Sequence, residues 1–231
     1  MVLVPGMGCD ADLYTEVRRG LSNPAIDVSI TAESIDAMAA QVLAAAPRRF
    51  VLVGLSLGAI VGFTVLRIAP ERVAGFVALS TNPGAPADVQ RRTWRELAAQ
   101  ISDCDSEKGF RAIVATALAP FMFADPHPEP ALAQRFLDMA VRVGPSQLVA
   151  QLRAQETRVD ATEWLEAVTC PTLVLAAEAD ALCPLEFHRT IANAIPSARL
   201  ECLAGAGHLS PWTSSESIIT SINRLTTEAR S

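Results

Sequence analysis

The stretch that most constrains this chain runs from Phe50 to Ile68. An apolar run, Phe50 to Val53, meets Gly54-Leu55-Ser56-Leu57-Gly58, and a helical pattern follows at once. Leu57, Ile60, Val61, Val65 and Ile68 fall on one face of a 3.6-residue period. A buried strand passing through G-x-S-x-G into an amphipathic helix predicts a sharp turn with the serine hydroxyl pushed out above a sheet. Glycine at 54 and 58 leaves room where a side chain would strike the neighbouring strand or helix. The backbone N–H of Leu57 opens the helix and is placed to meet developing negative charge.

Around this stretch, strands and helices alternate. Short strands are predicted at Met1–Val4, Ala25–Ile30, Val73–Leu79, Pro171–Ala176 and Ala198–Leu203. Helices are predicted at Asp10–Leu21, after Thr31-x-x-Ser34, at Leu185–Ala194 and after a capping box at Thr213-x-x-Glu216. This order implies a single α/β domain over 1–231, with a mostly parallel central sheet of about six strands flanked by helices. Loops at the carboxyl ends of its strands would form the site. Between about 85 and 159 the strand pattern vanishes. Helical faces replace it, beginning with Val89, Leu97 and Ile101, and a proline-rich joint lies at 119–130. At roughly seventy residues this is too long for a simple crossover and reads as a helical lid insertion.

Composition narrows the function classes. Half of the 231 residues are hydrophobic and 19% are charged, which suits a packed core. A net charge of −6, with Lys108 the only lysine, argues against a nucleic-acid surface. No apolar run approaches the ~18 residues of a membrane span, and the first residues lack the charged flank of a signal peptide. Cys9, Cys104, Cys170, Cys183 and Cys202 form no C-x-x-C pair and read as reduced thiols in a cytoplasmic protein. The three histidines are too dispersed for a metal site, and no cofactor is expected.

Three strand-end loops offer Ser56, Asp180 and His208 in that order. A serine hydroxyl is a weak nucleophile and needs a base in contact. Histidine suits that task and afterwards returns the proton to the leaving group. A buried carboxylate fixes the imidazole tautomer and stabilises its charged form. Glu178 is the rival acid.

In these motifs the chain resembles the α/β-hydrolase fold superfamily, and most of all its small esterase, lactonase and carbon–carbon-bond hydrolase group. The family's His-Gly-x-Gly is matched by Pro5-Gly6-Met7-Gly8, and its G-x-S-x-G by Gly54 to Gly58. Its P-T-L-V-x-x-G-x-x-D-x-x-x-P is matched from Pro171 through Asp180 to Pro184, with Ala177 for glycine. Its G-x-G-H is matched by Gly205-Ala206-Gly207-His208. The resemblance implies Ser56 as nucleophile, His208 as base and acid, Asp180 as its orienting acid, and Met7 and Leu57 as oxyanion-hole amides. It also implies an N-terminally shortened sheet, lacking the two usual leading strands, and an oxyanion loop held differently because Pro5 stands where the family has histidine. The second strand would then lie on an edge, open to a homodimer.

The implied activity is hydrolysis of small carboxylic esters or lactones through an acyl-enzyme. The alternatives are a carbon–carbon-bond hydrolase of β-diketone-like acids, for which Arg111, Arg135 or Arg142 could hold the substrate carboxylate, and a slow-turnover ligand-binding receptor. Phe121, Met122 and Phe123 are expected to face Ser56 and line an acyl pocket. His127 and His188 are expected on the surface or in the lid, and Cys9 and Cys183 as inert buried thiols.

Overall fold

The computed structural model describes residues 1–229. The chain runs β1 (Val2–Val4), α1 (Thr15–Gly20), β2 (Ile26–Asp27), α2 (Ile35–Ala45), β3 (Phe50–Leu55), α3 (Leu57–Ile68) and β4 (Val73–Leu79). Five helices follow: α4 (Asp88–Ser102), α5 (Glu107–Ala117), α6 (Pro130–Val143), α7 (Pro145–Glu156) and α8 (Thr162–Leu165). Then come β5 (Thr172–Ala177), α9 (Leu185–Ala194), β6 (Ala198–Leu203), α10 (Ser210–Thr213) and α11 (Ser215–Glu228). The six strands form one sheet in the order β2-β1-β3-β4-β5-β6, with every neighbouring pair parallel.

Because both faces are covered, the central strands are continuous apolar runs rather than alternating ones. Leu52, Phe76 and Val174 point into a core closed by α2, α3, α8 and α9. Val53, Val77 and Leu175 point the other way, under α1, α11 and part of the helical insertion. The insertion is tied back to the N-terminal segment by Arg135 on Asp12 (2.8 Å) and Arg142 on Asp10 (2.8 Å). Half-exposed pairs of this kind add little stability but fix where α6 sits.

Several local expectations need correction. The second strand shrinks to Ile26–Asp27, because its partner β1 ends at Val4 and turns into the glycine loop. The first helix is broken: Asp10 accepts the Asp12 N–H (2.9 Å) and caps a 3-10 turn over Ala11–Tyr14 before α1 begins. Val89 is 60% exposed, so α4 buries Leu97, Ala98 and Ile101 without it. The capping box at Thr213 does not form. Thr213 ends α10, Ser214 stands at the head of α11 without a side-chain cap, and Glu216 lies inside the helix. No described helix is long and apolar enough to cross a membrane.

Candidate active site

Ser56 sits between β3 and α3 with φ 52° and ψ −115°, a backbone region that non-glycine residues rarely occupy. The surroundings hold it there. Its N–H donates to Leu79 O (2.9 Å), and Thr81 Oγ1 donates to Ser56 O (3.0 Å). A Cβ on Gly54 would lie 2.5 Å from Ala59 N, and one on Gly58 would lie 2.2 Å from Val4 O. Strand, turn and glycine loop therefore touch backbone to backbone, and only glycine allows it.

The Pro5–Cys9 loop packs against this turn. Its fold is closed by Cys9 N–H to Gly6 O (3.2 Å) and by a left-handed Gly8 (φ 70°). With proline at position 5, the prop comes from the insertion. Gln151 of α7, fully buried, accepts the Gly8 N–H on Oε1 (2.9 Å) and donates from Nε2 to Ile30 O (3.2 Å). Tyr14 adds a hydroxyl donated to Val4 O (3.2 Å). The amides of Met7 and Leu57 find no acceptor among the described residues. Two such free donors beside a strained serine are what an oxyanion hole requires.

Asp180 lies in the loop after β5, and His208 in the loop after β6. His208 Nδ1 is 2.8 Å from Asp180 Oδ2, and both side chains are buried. The other carboxylate oxygen accepts the N–H groups of Leu182 (2.9 Å) and Cys183 (3.0 Å). Burial pushes this carboxyl up. The charge and hydrogen bond of His208 and the two amides outweigh it, and hold Asp180 below its ordinary value of 3.8. An ionised Asp180 accepts from Nδ1–H, which leaves Nε2 as the nitrogen free to take a proton. Glu178 is exposed and does something else: its Oε2 accepts the Gly205 N–H (2.8 Å) and braces the histidine loop. Gly207 presses on the 122–124 segment, where a Cβ would lie 2.3 Å from Ala124 N.

Ser56 and His208 line one cavity of about 140 Å³. Gly6, Met7 and Leu55 form part of its wall, with Ile60, Trp94, Met122, Leu182, Cys9 and Cys183 as further apolar lining. Of the three residues expected to face Ser56, only Met122 does. Phe121 is 44% exposed, outside the cavity. Phe123 packs edge-on against Phe136 (centroids 6.4 Å apart) as core, because the 122–124 segment turns it under the histidine loop. Asn82, Gln90, Gln155 and Arg158 complete the lining. None of these four belongs to a motif, so no sequence signal marked them.

His188 also departs from expectation. It is fully buried, accepts the Thr81 N–H on Nε2 (3.1 Å), and pairs Nδ1 with Pro184 O (3.2 Å). This neutral imidazole fastens the end of β4, and through Thr81 the Ser56 turn, to the loop before α9. Burial pulls it below its ordinary value of 6.5. His127 lies on an exposed loop. Burial pushes the thiols of Cys9 and Cys183 up, which keeps them protonated. Asp180, Cys183 and His208 place donor atoms within 4.8 Å of one another, the composition of a metal cluster. A protonated thiol and a ring nitrogen already engaged by Asp180 suit that role poorly.

A parallel sheet with a serine elbow at its centre and an Asp–His pair at the ends of β5 and β6 is the frame of an α/β hydrolase. A family model described as "Alpha/beta hydrolase family" matches residues 1–217, and the chain belongs to that family. Among curated relatives it is similar to the biotin biosynthesis bifunctional protein BioHC of Cellvibrio japonicus, 24% identical over 96% of this chain but spanning only 46% of that protein. It is also similar to the pimeloyl-(acyl-carrier protein) methyl ester esterase of Aliivibrio salmonicida, 23% identical over 97% of this chain and 90% of the relative. Among solved structures, a thermophilic esterase from Thermogutta terrifontis with malate bound superposes with TM-score 0.85 at 22% identity, covering 100% of this chain and 90% of that one. The enol-lactonase of Burkholderia xenovorans gives 0.85 at 18% identity, over 98% and 90%.

Proposed function

We propose that this protein is a serine hydrolase of small carboxylic esters or lactones, working through an acyl-enzyme. The observation that carries the reading is the 2.8 Å Asp180–His208 pair, with His208 lining the same cavity as the strained Ser56. Ser56 Oγ attacks the carbonyl carbon while His208 Nε2 takes its proton. The carbonyl oxygen, now anionic, is met by the amides of Met7 and Leu57. Collapse expels the alkoxide, which leaves as an alcohol with the proton from His208. Water then repeats the sequence on the acyl-enzyme and releases the acid. Asp180 stays ionised throughout and holds the imidazole in place. Helices α4 to α7 act as the lid that encloses the substrate. The ester and lactone chemistry of the relatives named above agrees with this reading. Multiple turnovers on a panel of methyl and p-nitrophenyl esters, lactones and β-keto acids, all lost in Ser56→Ala, test it.

A further inference from the structure

The cavity wall holds an unbalanced charge. Arg158 is only 5% exposed, and its Nε and Nη2 find no hydrogen-bond partner among the described residues. Its remaining polar contact is Nη1 donating to Gln155 Oε1 at 3.3 Å, a neutral acceptor. Its guanidinium lies over the Trp94 ring, 5.6 Å from the centroid. No Asp or Glu is among the cavity-lining residues. The arginines of the insertion that looked available for a substrate are engaged elsewhere: Arg111 with Asp138, Arg135 with Asp12 and Glu16, and Arg142 with Asp10 and Asp12. Burial pulls Arg158 down to about 10, with Cys183 opposing the shift and the like charge of Arg91 adding a smaller pull.

The neighbouring amides point the same way. The amide oxygens of Asn82, Gln90 and Gln155 are all taken, by the N–H of Gly84 (2.8 Å), the N–H of Ala87 (2.9 Å) and Arg158 respectively. These donors fix the amide orientations and leave the three NH2 groups without an acceptor among the described residues. This side of the cavity therefore carries the Arg158 guanidinium beside the free NH2 groups of Asn82 and the buried Gln155. A buried cation among unanswered donors is costly unless an anion meets it. Guanidinium and carboxylate match as a two-pronged pair.

We propose that the substrate of this hydrolase carries a free carboxylate besides its scissile ester or lactone bond, and that Arg158, supported by Gln155 and Asn82, binds it. This rests on the ester-hydrolase reading for the reaction but not for the binding, so the two are tested apart.

The binding arm uses glutarate monoamide and pentanamide, measured by calorimetry on wild type, Arg158→Gln and Arg158→Lys. The wild type is expected to bind the carboxylated amide at least about tenfold more tightly than the neutral one. Arg158→Gln should abolish that difference, and Arg158→Lys should restore part of it. The kinetic arm compares monomethyl succinate, glutarate and adipate with methyl butyrate, pentanoate and hexanoate. In Arg158→Gln the kcat/KM ratio of carboxylated to neutral ester should fall by about tenfold to a hundredfold. Its Tm should not fall, because an uncompensated buried charge has gone. Equal binding of the two amides, or a ratio untouched by Arg158→Gln, overturns the proposal, as does a lower Tm with no loss of discrimination. Monoamide binding through Arg158 without turnover of either ester keeps the carboxylate site and removes the hydrolase reading. Turnover of methyl pentanoate with no carboxylate preference does the reverse.

Discussion

Gln151 Oε1 accepts the Gly8 N–H at 2.9 Å, so a buried glutamine of the helical insertion supports the glycine loop beside Ser56. Pro5 removes the histidine that this loop carries in the resembling family, and the support has moved to another element. The loop's shape, and with it the Met7 amide, therefore depends on where α7 sits.

Replacing Gln151 with leucine leaves the Gly8 N–H unanswered in a buried place, at a cost of about 1–3 kcal/mol, and leaves Ile30 O only the long bond from Gln147 Nε2 (3.5 Å). The expected kinetic effect is a fall in kcat of about tenfold or more with KM little changed, since a misplaced oxyanion donor weakens the transition state first. Gln151→Glu keeps the Gly8 acceptor and should recover part of kcat. A folded leucine variant with wild-type kcat would show that the loop holds itself.

The two carboxylates after β5 should separate cleanly. Asp180→Asn is expected to lower kcat by at least about a thousandfold, because the amide no longer enforces the imidazole tautomer. Glu178→Gln retains an acceptor for the Gly205 N–H and should cost less than about tenfold. Steady-state kinetics of both variants checks this, and the opposite ranking would move the orienting acid to Glu178.

His188 gives a pH dependence of stability. Its pKa is depressed in the fold relative to the ordinary 6.5, so below that pH the unfolded chain binds a proton the folded one refuses. Its contribution is whole above pH 6.5, and is lost as pH falls through the lower folded value. Thermal unfolding between pH 8 and 5 should show this decline. His188→Leu should start lower, having lost the acceptor for the Thr81 N–H, and decline less steeply. Parallel curves for the two proteins would contradict the assignment.

The Ser56, Asp180 and His208 loops were legible in the sequence because each is a local pattern: a glycine-bracketed turn, a strand followed by an acid, a glycine loop ending in histidine. Parallel-strand cores are legible for the same reason, since Leu52, Val53, Val77 and Val174 sit in unbroken apolar runs. What stayed hidden is settled by long-range contacts. Gln151 looks like an ordinary polar helix residue, and Arg158 like an ordinary loop residue, until the insertion folds over the sheet. Phe121 and Phe123 share a stretch with Met122, yet only the tertiary path of the 119–124 segment decides which one meets the cavity.

That path changes what the aromatics should do. Phe123→Ala is expected to destabilise by about 3–5 kcal/mol as a core truncation, without altering acyl preference. Phe121→Ala should stay within about 0.5 kcal/mol of wild type. Met122→Ala or Trp94→Ala, at the cavity wall, should shift the preferred acyl length upward. A chain-length series of methyl esters on the four variants, with Tm values, tests this. A length optimum moved by Phe121→Ala would put that side chain back in the pocket.

The central claim is that Ser56 is the nucleophile, and covalent capture tests it most directly. A fluorophosphonate probe, followed by intact-mass and peptide mass spectrometry, should add one label per chain, on Ser56. Labelling should be absent in a folded Ser56→Ala and strongly slowed in His208→Ala. A label elsewhere in the wild type, or one that persists in Ser56→Ala, would contradict the account.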